Sequence, residues 1–133
     1  MTTRCVLDSS VIAAIFFQEP SSQKAVNAAA NSQLVTVDLA RAEVANVAWK
    51  RVNIFHDDPE LITQALKISM EFIETTCDVI PTIEILDESF QIAITHKITF
   101  YDSLFLAASQ REKIPLLTLD KRLANAGEMV TLL

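Results

Sequence analysis

Short apolar runs that read as strands alternate with longer runs of helical periodicity along the whole chain. This alternation constrains the fold more than any other feature. The strand candidates are Arg4 to Leu7, Leu34 to Val37, Val79 to Pro81, Leu116 to Leu119 and Met129 to Leu132. Helical patterns occupy Val11 to Phe17, Gln23 to Asn31, Leu39 to Val52, Pro59 to about Glu74, about Ile83 to His96, and Phe100 to about Arg111. A short one covers Asp120 to Asn125. Helix starts are marked by Asp8-Ser9-Ser10, by Asp38 as an N-cap and by Asp57-Asp58-Pro59. The predicted order β-α-α-β-α-α-β-α-α-β-α-β implies an α/β fold. Its centre is a parallel sheet of four to five strands, with helices on both faces. The chain has 133 residues and no linker, repeat or low-complexity stretch, so one domain spanning residues 1–133 is expected.

Composition removes several classes of function. Half the residues are hydrophobic, which is ample for a core. No apolar run approaches the roughly 20 residues that cross a bilayer. Val11 to Phe17 is too short, and it lacks the cleavage site of a signal peptide. A cytoplasmic protein without membrane association is expected. The single glycine, Gly127, excludes phosphate loops, dinucleotide fingerprints and nucleophile elbows, which each need several. Cys5 and Cys77 fit neither a zinc nor a redox spacing and read as buried free thiols, although a disulfide stays open. His56 and His96 stand alone and suit surface or supporting roles. Trp49 and the phenylalanines suit core or interface better than base stacking. The net charge of −6 opposes a broad nucleic-acid footprint. Any such contact must use local basic pairs, Lys50–Arg51 and Lys121–Arg122.

Four acidic residues lie in or beside apolar runs: Asp8 in LDSSV, Glu43 in RAEVANV, Asp102 in FYDSLFLA and Asp120 in LLTLDKRL. An unpaired carboxylate is costly to bury there. Asp8 and Asp120 each follow a predicted strand, so both should project from the carboxyl edge of the sheet, where open α/β folds place their sites. A plain N-cap explains either one alone, and the two roles are compatible. Asp102 could be a cap or a first-turn charge on a helix dipole. Glu43 could pair with Lys50 or Arg41, and Asn46 shares its helix face. If the four converge, a divalent cation is needed. Two unit charges about 4 Å apart repel by about 4 kcal/mol at an effective dielectric near 20. Mg²⁺ or Mn²⁺ would offset that repulsion and suit phosphodiester hydrolysis.

These four segments, in this order, resemble the PIN-domain nucleases, and in size and pattern the VapC-like ribonuclease toxins of toxin–antitoxin pairs. Asp8-Ser9-Ser10, Glu43 with Asn46, Tyr101-Asp102 and Thr118-Leu119-Asp120 carry the resemblance, which spans essentially the whole chain. The resemblance implies that Asp8, Glu43, Asp102 and Asp120 are the catalytic and metal-binding quartet. Ser9 and Thr118 would then be supporting hydroxyls, and Asn46 would orient Glu43 or water. It further implies Mg²⁺- or Mn²⁺-dependent RNA hydrolysis, a homodimer and a small antitoxin partner that blocks the acidic groove. Two other readings stand beside it. One is a PIN nuclease for RNA processing or decay without an antitoxin. The other is a catalytically idle binding module of the same fold.

Overall fold

Consecutive buried residues in the first strand require cover on both faces of the sheet. The computed structural model describes residues 3–133. In β1 (Thr3–Leu7), Cys5, Val6 and Leu7 are all buried, although neighbouring side chains point to opposite faces. The other strands are β2 (Ser32–Val37), β3 (Cys77–Ile80), β4 (Leu116–Thr118) and β5 (Val130–Leu132). All pairings are parallel and the spatial order is β3-β2-β1-β4-β5. The register sets Cys5 beside Leu34, Val6 beside Leu116 and Leu34 beside Cys77.

The helices are α1 (Ser9–Phe16), α2 (Ser22–Ala29), α3 (Leu39–Asn53), α4 (Pro59–Thr76), α5 (Leu86–His96), α6 (Phe100–Glu112) and α7 (Lys121–Ala124). Helices α1 to α4 pack on one another, and α5 and α6 form a second group. Helix α6 lies against β1, β2 and β4 and is buried continuously from Ser103 to Ser109. That burial explains why its sequence is apolar almost all round. The core joins Val6, Leu7 and Ile12 to Phe17, Phe105 and Leu116. No helix of the described residues is long and apolar enough to cross a membrane.

The strand order has one functional consequence. From β1 the chain moves outward through β2 to β3, then returns to β4 on the other side of β1. The crossovers therefore diverge between β1 and β4, and such a reversal opens a crevice at the carboxyl edge. Asp8 leaves the sheet on one side of that crevice and Asp120 on the other.

The local structure departs from the sequence expectation in two places. Asp38 is not the expected N-cap. Its backbone is already helical, with φ −57° and ψ −28°, and its side chain makes no cap bond. It accepts hydrogen bonds from the backbone N–H of Thr82, at 3.1 Å, and from the Thr82 hydroxyl. The contact ties the end of β2 to the turn after β3. The helix expected from Ile83 is a 3-10 turn over Thr82–Glu84, and α5 begins at Leu86. Between them Ile85, fully buried, sits at a non-helical φ of −123°. Both cysteines are buried and free, and burial pushes the Cys77 thiol up to about 12.

The Asp38–Thr82 contact yields a prediction. Thr82→Ala removes the hydroxyl donor to a charged acceptor and should destabilise the fold by about 1–2 kcal/mol. Urea denaturation should show a lower midpoint with an unchanged slope.

Candidate active site

Each of the four singled-out carboxylates is delivered to the crevice by a different element, and the sequence next to each explains its position. Asp8 is the N-cap of α1, and its side chain accepts from the Val11 N–H at 3.1 Å. It is only 4% exposed. The Ser10 hydroxyl donates to the same oxygen, Oδ1, at 2.6 Å, and the Thr118 hydroxyl donates to Oδ2. Asp120 caps α7 through the Arg122 N–H at 2.9 Å. Its own N–H donates to Thr118 Oγ1 at 3.0 Å. The cap readings of Asp8 and Asp120 therefore hold, and both caps sit on the crevice.

Glu43 lies one turn into α3. It pairs with neither Lys50 nor Arg41, and Arg41 instead bridges Glu74 at 3.0 Å. Its partner is Ser9, whose hydroxyl donates to Glu43 Oε1 at 2.8 Å. Asp102 stands in the first turn of α6, behind the cap residue Thr99, whose Oγ1 accepts from the Asp102 N–H at 3.1 Å. Ser9 and Thr118 thus contact the carboxylates as expected. Asn46 shares a cavity of about 480 Å³ with Glu43, Ser9, Lys50 and Tyr101.

In the sequence Ser10 stands out as a helix-capping residue and as part of the Asp8-Ser9-Ser10 motif, without a contact of its own. Besides holding Asp8, its hydroxyl accepts from the Leu119 N–H at 3.1 Å. Ser10 and Thr118 therefore bond the start of α1 to the end of β4 across the crevice. The only signal in the sequence was the paired serine after Asp8.

The electrostatics record the convergence. Burial is the main force raising the proton affinity of Asp8, Glu43 and Asp102. Their mutual charges add to it: Asp102 acts on Asp8 and Glu43, Asp8 on Glu43, and Asp120 on Asp102. Hydrogen bonds from Ser10, Thr118 and Val11 oppose the rise at Asp8, as the Ser9 bond does at Glu43. The four carboxylates share one electrostatic neighbourhood.

Among the described residues, no three acidic, histidine or cysteine side chains close on one point as a ready-made cage. Mg²⁺ does not need one. It is held by one or two carboxylates and keeps several waters. An all-oxygen donor set of interacting carboxylates fits a hard divalent cation.

Of the basic residues, Lys50 reaches the Glu43 cavity. Arg122 faces Asp102, whose proton affinity its charge lowers. Lys121 is exposed. Arg51 is engaged elsewhere, pairing with Asp57 at 2.7 Å and donating to the Gln18 carbonyl.

The parallel sheet sets Asp8 and Asp120 at its switch point, and pairwise charge effects link these acids with Glu43 and Asp102. The PIN-domain profile matches residues 5–129, and the chain belongs to the PIN-domain family. Within that family it is similar to Ribonuclease VapC3 of Pyrobaculum aerophilum. The two are 36% identical over 125 residues, covering 92% of this chain and 93% of that protein. The fold is also shared with PAE2754 from P. aerophilum, at a TM-score of 0.75 and 20% identity, over 96% of this chain and 82% of the other. A toxin–antitoxin complex from Klebsiella pneumoniae contains the same fold, at a TM-score of 0.67 and 19% identity, over 96% and 95%.

The raised proton affinities set the pH dependence of the metal-free protein. A folded state that holds these protons more tightly than the unfolded chain is favoured at low pH. It loses that advantage as pH climbs through the raised values. In EDTA at pH 8 the carboxylates repel one another, so Asp102→Asn should raise the melting temperature. At pH 5 the gain should shrink. Thermal melts of both proteins at the two pH values check this.

Proposed function

We propose that this chain is a divalent-metal-dependent endoribonuclease and the toxin of a toxin–antitoxin pair, with residues 1–133 forming one nuclease domain. The observation that carries the reading is the convergence of Asp8, Glu43, Asp102 and Asp120 at the switch point of a PIN fold. The 36% identity with Ribonuclease VapC3 supports RNA as the substrate. Mg²⁺ or Mn²⁺ would be held by carboxylates of this quartet. When bound, the ion polarises a phosphoryl oxygen and acidifies a water.

The remaining chemistry belongs to the chain. Three hydrogen bonds fix the Asp8 carboxylate, so it is oriented before substrate arrives. Ser9 fixes one oxygen of Glu43 and leaves the other free. A carboxylate of the quartet that does not hold the ion can accept the proton of the attacking water. The water oxygen bonds to phosphorus as a ribose oxygen departs. Asp120 adds negative charge beside Asp102, which favours cation over anion in the crevice. Asn46 offers an amide to Glu43 or to water.

The antitoxin is supported by the shared fold of the Klebsiella pneumoniae toxin–antitoxin complex. An acidic groove is physically matched to a basic inhibitory segment. The homodimer is supported by a stripe of exposed apolar side chains, Ile83, Leu86, Phe90 and Ile94, along α5 and the turn before it.

The test is cleavage of a mixed RNA pool in Mn²⁺, Mg²⁺ and EDTA by wild type, Asp8→Asn and Asp102→Asn. Metal-dependent cutting should fall at least about a hundredfold in each variant. Undiminished cutting in both would remove the quartet from the chemistry. A well-folded wild type that neither cuts nor is stabilised by the ions would leave the idle binding module.

A further inference from the structure

Asp102 also lines a second cleft, of about 360 Å³, separate from the Glu43 cavity. Its lining includes His96, Lys97, Thr99, Arg122 and Asn125, together with Asp102 itself. None of these residues except Arg122 figured in the sequence reading as a substrate contact. The volume lies within the range of about 300–1,000 Å³ typical of small-ligand sites. Among the described residues, no lysine takes part in a salt bridge, and of the arginines Arg122 does not. The other surface arginines, Arg4, Arg41, Arg51 and Arg111, all do.

The two free cations come from separate elements. Lys97 ends α5 in the left-handed conformation, with φ 55°. Arg122 lies in α7, beyond β4. A cation near the end of α5 is favoured by the helix dipole, but that does not bring Arg122 to the same cleft. Counterbalance of Asp102 would account for Arg122, and capping of α6 accounts for Thr99, but neither accounts for Lys97 and Asn125 beside them. In a chain of net charge −6, Lys97 and Arg122 line one cleft beside an acidic site. They can hold an anion that the carboxylates themselves repel.

Resting on the nuclease reading, we infer that this cleft is a phosphate subsite for the RNA strand. Lys97 and Arg122 grip the phosphodiester next to the one cleaved, and Thr99 and Asn125 hydrogen-bond the intervening nucleotide. The strand then runs from the Glu43 cavity across the carboxylates into the cleft. This resolves the conflict between an acidic protein and an anionic substrate: attraction is confined to the step beside the scissile bond.

The test uses the full chain, with a labelled 12-nucleotide single-stranded RNA of mixed sequence as probe, in Mn²⁺ over a series of NaCl concentrations. Lys97→Gln should raise KM about five- to tenfold with kcat within about twofold, and Arg122→Gln, which lines the cleft beside Asp102, should raise KM by a similar factor. The log–log salt dependence should become shallower by about 0.7 per removed charge. Lys97→Arg should restore both. Lys24→Gln and Lys67→Gln, exposed lysines on α2 and α4, are the controls and should change neither. A KM and salt slope in the cleft variants equal to those of the controls would overturn the subsite while leaving the nuclease reading intact. If the wild type does not cut, equilibrium binding of the same RNA replaces KM. Binding that the cleft variants weaken would uphold the subsite and remove the nuclease reading. No binding by wild type would remove both.

Discussion

The buried Asp8 carboxylate governs the centre of this molecule. A charged group only 4% exposed, at the end of a central strand, must be hydrogen-bonded or neutralised. Here three donors from two separate parts of the chain meet it: Ser10 and the Val11 N–H from α1, and Thr118 from β4. The same hydroxyls accept N–H groups of Leu119 and Asp120. Satisfying one carboxylate therefore fixes where β4 ends relative to β1, and that fixes where Asp120 stands. The geometry of the crevice follows from solving a burial problem.

The acidic site and the basic cleft beside it divide the labour of an electrostatically awkward enzyme. Carboxylates that raise one another's proton affinity are well suited to a cation and ill suited to a polyanion. A general positive surface would attract RNA but would also draw counter-charge toward the carboxylates. Lys97 and Arg122 line one cleft, where Arg122 also acts on Asp102. The Arg51–Asp57 pair shows the contrast. That arginine is consumed in bonding the end of α3 to the loop before α4 and to Gln18.

Most of the architecture was legible because hydrophobic period and capping residues agreed with each other at nearly every element. Strand–helix alternation gave the parallel sheet, and Asp8 and Asp120 marked two helix starts. What could not be read was decided by contacts distant in sequence. Asp38 has a good capping side chain, but Thr82, 44 residues away, claims it. Ile83 continues a helical pattern, yet a 3-10 turn comes first, with Ile85 buried between it and α5. The quartet could be proposed from one sequence because each acid broke an apolar run. The cleft could not. Arg122 could be singled out as part of a basic pair, but His96, Lys97 and Asn125 look like ordinary surface residues, and only the fold sets the end of α5 beside the start of α7.

The hydroxyl bond from Thr118 to Asp8 joins residues 110 positions apart. A protein emerging from the ribosome appears N-terminal end first. Asp8, Glu43 and Asp102 are all made well before the strand that pins them and the residue that completes them. Until β4 has been synthesised and has slotted beside β1, the first carboxylate lacks one of its donors and Asp120 does not yet exist. The acidic crevice is therefore completed only when β4 joins β1, late in the order in which these elements are made.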